Sequence, residues 1–182
     1  MTLNGKKILL RPIETSDVEQ TLRFHQDLQG MVDLMGFVMP VNLENEKHWI
    51  DNLYPQNNRS NIYFGICGKD NKDHLVGYIS AKNINQINRT AEFGIYIEKD
   101  SRRKGIAKEA ITIFITYLYS QIHIRKIFLF VLNDNEKAIN LYKSTGFIQE
   151  GVMRDHCWKD GGYRDLIIMS KFTKNIQKEN KK

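Results

Sequence analysis

Cysteine is scarce in this chain of 182 residues: there are only two, Cys67 and Cys157. Neither belongs to a Cys-x-x-Cys pair, and the five histidines do not cluster with them. A disulfide scaffold and a structural zinc site are thereby disfavoured, no metal ligand is expected, and the setting expected is a reducing cytoplasm. Proline is scarcer than glycine, at three against 12, and neither is frequent enough for a collagen-like or proline-rich chain. Long apolar runs are missing too. The longest, residues 110–119, is broken by Thr112 and Thr116 and is far short of the roughly 20 residues a membrane span needs. The opening Met1-Thr2-Leu3-Asn4-Gly5-Lys6-Lys7 lacks the apolar core of a secretory leader.

What is present is ordinary for a globular protein: 41% hydrophobic, 10% aromatic and 26% charged residues. The length suits one domain, taken as residues 1–172, with a core of its own. Residues 173–182 are polar and lysine-rich and are expected to fray. The net charge of +6 is unevenly placed. Residues 99–108 carry five cations against one acid, the tail four against one, and the remainder sums to −1. Such a distribution does not describe a basic nucleic-acid face, and neither nucleic acid nor membrane is expected as a partner.

Hydrophobic spacing places the elements. Residues 7–12 read as a strand, and Ser16-Asp17-Val18-Glu19 as a capping box opening a helix that reaches about Asp27. Met31, Met35 and Met39 recur at helical spacing, either as packing or as a flexible substrate wall. A second helix is expected over 42–54. Strands follow at 61–69, 74–85 and 91–98, with Asp70-Asn71-Lys72-Asp73 as a hairpin turn; Gly94 marks a bulge or a close backbone approach. Residues 104–121 form the longest helical pattern, with Ile106, Ala110, Ile113, Phe114 and Tyr117 on one stripe. The run 125–132 reads as a strand buried on both faces, 135–145 as a helix stopped by Gly146, and 147–157 and 163–172 as strands joined through Lys159-Asp160-Gly161-Gly162. The order β-α-α-β-β-β-α-β-α-β-β argues for an α/β or α+β sheet with helices on its faces.

Two segments carry chemistry. The first, Asp100-Ser101-Arg102-Arg103-Lys104-Gly105-Ile106-Ala107, leads from a strand into the longest helix. Helix N-termini expose unpaired N–H groups and positive dipole potential, so cations gathered there make sense with an anion between them. Neither Gly-x-x-x-x-Gly-Lys-Ser/Thr nor Gly-x-Gly-x-x-Gly occurs, which excludes those two nucleotide loops. The second runs from Asn133 to Phe147. Asn133 or Asn135 can cap its helix or bond a ligand amide, Ala138 offers a close-approach surface, and Tyr142 lies one turn further on the same face.

Arg102-Arg103-Lys104-Gly105-Ile106-Ala107 resembles the (Gln/Arg)-x-x-Gly-x-(Gly/Ala) loop of the GNAT superfamily of acetyl-CoA-dependent N-acetyltransferases. The Asn-Glu-x-Ala-x-x-x-Tyr-x-x-x-Gly-Phe stretch is similar to that superfamily's second cofactor helix. Leu10-Arg11-Pro12-Ile13-Glu14-x-x-Asp17 and Asp160-Gly161-Gly162-Tyr163-Arg164-Asp165 resemble the start and end of its branch containing ribosomal-protein alanine and spermidine acetyltransferases. The resemblance implies a mixed, mostly antiparallel sheet of about seven strands flanked by about four helices. It implies acetyl-CoA as co-substrate, its pyrophosphate on the 103–107 amides and its pantetheine arm between splayed strands at Ile95, Tyr96 and Ile97. Arg102, Asn133, Asn135 and Ala138 complete the cofactor set, and Tyr142 corresponds to the general acid that protonates the leaving thiolate.

The acceptor amine must lose a proton before it attacks. Glu92, at the head of the cofactor strand, is the first candidate base, or else a carboxylate that orients the substrate. His123 and His156 are weaker candidates. Residues 30–54 hold Asp33, Glu44, Glu46 and Asp51 against Lys47, either an acidic wall for a cationic amine or a solvated helix face. Met35-Gly36-Phe37-Val38-Met39-Pro40 stands where spermidine acetyltransferases have an aromatic-acidic segment. Trp49 and Trp158 line an acceptor pocket or pack in the core. The acceptor expected is a primary amine, whether a small cationic amine such as a polyamine, an amino sugar or a protein N-terminus, and a homodimer or larger homo-oligomer is left open. Two other readings remain: an acyl-CoA-binding regulator without turnover, and a nucleic-acid-binding module whose affinity would fall steeply with salt.

Overall fold

In the computed structural model, residues 1–33, 40–54 and 60–172 are described. Eight strands form one sheet among them: β1 (Leu3–Asn4), β2 (Ile8–Arg11), β3 (Ile62–Gly68), β4 (Asn71–Asn85), β5 (Thr90–Ile97), β6 (Lys126–Leu132), β7 (Ile148–Lys159) and β8 (Gly162–Phe172). The described α-helices are α1 (Val18–His25), α2 (Leu28–Asp33), α3 (Leu43–Asp51), α4 (Ile106–Ser120) and α5 (Glu136–Ser144). The sheet runs β1-β2-β3-β4-β5-β6-β8-β7, and every neighbouring pair is antiparallel except β5 and β6. The mixed, mainly antiparallel architecture is the one expected. The two-residue β1 and the six-residue α2 are additions, too short to leave a periodic signal.

Strand alternation divides the core in two. Ile8, Leu10, Ile66, Ile79, Ile127 and Leu129 face α4 and α5. Leu9, Cys67, Leu75, Tyr78 and Tyr96 point the other way, toward Phe24, Met31 and Ile50 of α1–α3. The α4 stripe is rotated from its expected centre: Ile111, Ile115 and Leu118 are buried with Ala110 and Phe114, while Ile106, Ile113 and Tyr117 are only partly covered. Lys108, Thr112, Thr116 and Ser120 form the exposed stripe, which sets the buried side opposite them, one position round from the expected centre. Nor is β6 buried on both faces, since Phe128 and Phe130 are half-exposed between buried Ile127, Leu129 and Val131. Gly94 marks no bulge: it pairs regularly with Ser80, and the irregularity of β4 against β5 falls between Lys82 and Asn85.

Local chemistry explains several joints. Arg11 donates to both carboxylate oxygens of buried Asp17, at 2.7 and 2.8 Å, tying β2 to the start of α1. Asp17 also accepts from the Glu14 amide, so the capping pair is Glu14 with Asp17, displaced from the Ser16–Glu19 frame. The Leu-Arg-Pro…Asp motif at the chain's opening is therefore a structural staple. The β3–β4 turn is only Lys69-Asp70, shorter than expected, because pairing resumes at Gly68 with Asn71. Asp160 and Gly161 both adopt left-handed backbone (φ 49° and 75°), the geometry a two-residue hairpin requires between β7 and β8.

Candidate active site

The parallel strands β5 and β6 pair only at Thr90–Lys126, Ala91–Ile127 and Glu92–Phe128. Beyond that point β5 stays with β4 to Ile97, and β6 stays with β8 to Leu132. The strands therefore splay, and the facing edges of 93–97 and 129–132 have no ladder partner across the gap. A cavity of about 1170 Å³ opens there, ample for a small-molecule site. Tyr142 of the α4/α5 side and Tyr78 and Met31 of the α1–α3 side all line it. A cavity lined from both faces crosses the sheet, and the splay is where it crosses.

Of the residues singled out in the sequence, Glu92, Ile95, Tyr96, Ile97, Arg102, Arg103, Asn135, Ala138 and Tyr142 are brought together on the cavity wall. Lys104, Gly105, Ile106, Ala107 and Asn133 are not part of that wall. The first four continue directly from Arg103 into the N-terminus of α4. Gly105 caps this helix with φ +81°, and a Cβ built there would meet nothing within 4 Å, so the space above the amides is open. The Glu109 amide is the first in α4 to find a helical acceptor, the Gly105 carbonyl, which leaves the amides of 105–108 for an external anion. Arg103 also has left-handed backbone, φ +64°.

Arg102 is engaged otherwise. Its Nε donates to the Ile97 carbonyl (2.8 Å), and Nη2 lies 3.2 Å from Asp27. The Tyr96 hydroxyl donates to the same Asp27 oxygen at 2.8 Å. Burial pushes the Asp27 carboxyl up, but the hydrogen bonds from Tyr96 and the Gly30 amide, with Arg102, outweigh it and hold the group below its usual range.

Asn135 is the helix cap: its Oδ1 accepts from the Ala138 amide at 3.1 Å, placing Ala138 and Tyr142 on the cavity side of α5. Asn133 donates through its backbone to Asp165 and carries no such role. The Tyr142 ring packs against Phe93 and Phe147 at 6.3 and 5.7 Å. Its hydroxyl makes no hydrogen bond to another described residue, and burial pushes the phenol up to about 12. It is a neutral proton donor at physiological pH. Glu92 accepts from the Asn83 amide group at 2.9 Å, with its other oxygen 3.8 Å from Lys82.

The acidic segment resolves into separate roles. Glu44 and Asp51 are exposed, while Asp33 lines the cavity 3.9 Å from Lys159. Glu46 is fully buried, with Oε2 at 2.8 Å from His25 Nδ1. His25 itself lines the cavity beside Trp49. His123 and His156 are exposed and do not line the cavity, and neither does Trp158, 65% exposed. Met31 is buried at the cavity; Met35, Met39 and the 34–39 stretch lie outside the described residues. His25 was not singled out from the sequence, and Glu46 stood there only among the acidic residues of 30–54, not as its partner. One signal was available: Glu46 falls four residues before Ile50 and seven before Leu53, on the buried stripe of α3. Among the described residues no cluster of potential metal ligands occurs.

Residues 7–148 match the acetyltransferase (GNAT) domain. The chain is 33% identical over 180 residues to the spermidine N(1)-acetyltransferase of Escherichia coli K12, covering 98% of this chain and 92% of that protein. It is 29% identical to that of Vibrio cholerae, covering 92% and 96%. A putative ribosomal N-acetyltransferase of Bacillus subtilis, YdaF, is 34% identical over 96 residues, about half of each chain. Among solved structures, a probable acetyltransferase superimposes with TM-score 0.84 at 27% identity, covering 94% of this chain and 97% of that one. The Vibrio cholerae spermidine N-acetyltransferase solved with CoA and spermine also superimposes with TM-score 0.84, at 24% identity, covering 92% and 96%.

Proposed function

The chain belongs to the GNAT acetyltransferases, which are acetyl-CoA-dependent N-acetyltransferases, and on that premise we propose that it transfers acetyl directly from acetyl-CoA to the primary amine of a small cationic acceptor. The observation that carries this reading is a buried phenol with a free hydroxyl, Tyr142, at the point where β5 and β6 part and a cavity crosses the sheet. In this reading residues 1–172 act as one acetyltransferase domain. The pyrophosphate rests on the 103–107 amides with Arg103 and Lys104 beside it. The pantetheine arm takes the unpaired β5 edge at Ile95–Ile97, and Ala138 gives it room against α5. A β5 amide donates to the oxyanion formed on attack, a contribution of roughly 3–4 kcal/mol in other acyl-transfer enzymes. Tyr142 gives its proton to the departing thiolate. Glu92, fixed between Asn83 and Lys82, suits orientation of the acceptor better than proton removal, because both of its oxygens are engaged.

Curated relatives named spermidine N(1)-acetyltransferase support a polyamine as one acceptor, while the relative named for ribosomal acetylation supports a peptide N-terminus. The unpaired state of Cys67 and Cys157 suits the cytoplasm, and no described helix is long and apolar enough to cross a membrane. The test is thiol release from acetyl-CoA over a panel of polyamines, amino sugars and peptide N-termini. Acceptor-dependent release supports the proposal. Tight binding of acetyl-CoA without release on any amine would favour a regulatory domain instead.

A further inference from the structure

Glu46 is 0% exposed, and only one of its carboxylate oxygens has a partner among the described residues. Burying a carboxylate with one oxygen unpaired is costly, and such a group calls for an explanation. Its one partner is His25 Nδ1, at 2.8 Å. In its carboxylate form Glu46 only accepts, and against that form Nδ1 carries the proton and Nε2 keeps the basic lone pair. The ring is fixed edge-on against Trp49 (4.6 Å between centroids) and beside Tyr78 (5.8 Å), and it lines the cavity that Tyr142 also lines. An oriented imidazole backed by a buried carboxylate is the arrangement that makes histidine an effective base.

We propose that His25, held by Glu46, accepts the proton that the acceptor's ammonium must lose before it attacks acetyl-CoA. This deepens the acetyltransferase reading and rests on it. The acceptor nitrogen sheds two protons on becoming an amide. The first goes to His25 Nε2, freeing the lone pair that forms the new C–N bond at the thioester carbon. The second leaves as the C–S bond breaks; Tyr142 delivers one proton to the thiolate and recovers it from the nitrogen through solvent. His25 then returns its proton to water, giving one amide, one thiol and one released proton. Glu46 is a positioning residue in this step.

The titratable groups around the ring leave the step to His25. Tyr78 on β4, Tyr96 on β5 and Tyr63 on β3 are phenols that burial holds above their ordinary range, so none ionises below the usual phenol value of about 10. Asp27 beyond Tyr96 is bound by Arg102, Asp33 on α2 lies beside Lys159, and Glu92 is held by Lys82 and Asn83.

The test joins kinetics to NMR of 15N-histidine-labelled protein. The wild type should show kcat/KM rising with pH through one apparent pKa that matches the titration of His25, whose neutral ring carries its proton on Nδ1. His25→Gln should lower kcat about 10²-fold or more with the KM for acetyl-CoA unchanged, and Glu46→Gln should move the acidic limb to lower pH. Near-wild-type turnover by His25→Gln, a kinetic pKa that does not match the ring's, or a neutral ring protonated on Nε2 each overturns the proposal. The NMR result is read without turnover. Failure of the wild type to acetylate any amine would therefore count against the acetyltransferase reading, and the tautomer would still judge the pair.

Discussion

At the residue scale Tyr142 of α5 and Asn135, the cap of that helix, have separate tasks. Tyr142 is buried in aromatic packing, yet its hydroxyl serves no described structural partner. Tyr142→Phe removes the proton donor while keeping the ring. We expect kcat to fall about 10²-fold or more, with calorimetric affinity for acetyl-CoA changed less than about twofold. Equal loss of both would make Tyr142 structural. Asn135 has the opposite character, since its side chain is already occupied by the Ala138 amide. Asn135→Ala should cost about 1 kcal/mol in urea unfolding, as lost caps do; affinity loss at unchanged stability would instead make it a ligand donor.

At the element scale the site depends on a strand pair that stops pairing and on a helix that begins with a left-handed residue. Gly105→Val puts a β-branched side chain at φ +81° over the open amides of α4. Affinity for acetyl-CoA should fall at least about tenfold by calorimetry, with little change in the Tm if the strain is absorbed at the helix end. The elements around this site were legible because each has a strong local cause: the basic Gly loop, the Asn135 cap, the Asp160-Gly161 turn, the apolar run of β6. What was not legible depended on long-range packing. The end of β5–β6 pairing at Glu92–Phe128 leaves no mark in either strand's composition. His25 and Glu46 are 21 residues apart, on helices whose contact only the fold creates.

At the scale of the whole molecule, Asp27, Tyr96 and Arg102 form one bonded cluster, and Tyr96 and Arg102 of it line the cavity. This cluster ties the α1–α2 connection to the end of β5 and to the basic loop. Because Asp27 is held below its ordinary range in the folded state, its ionised form stabilises the fold above the unfolded carboxylate value of about 4. That contribution is lost as pH falls through the lower folded value. Asp27→Asn should therefore be less stable than wild type in urea at pH 7, with the gap narrowing in acid. A constant gap would show that packing, not charge, is what the substitution removes. The charge of the molecule reads differently in this light. Within 99–108, Arg102 is spent on the clamp, and Arg103 and Lys104 stand at the open helix terminus.

The most direct test of the central claim is a crystal structure of the protein with CoA bound. The pyrophosphate is expected on the 103–107 amides, the pantetheine arm along the unpaired edge of β5 and the sulfur within hydrogen-bond reach of the Tyr142 hydroxyl. CoA bound away from the β5–β6 splay, or a sulfur remote from Tyr142, would contradict it.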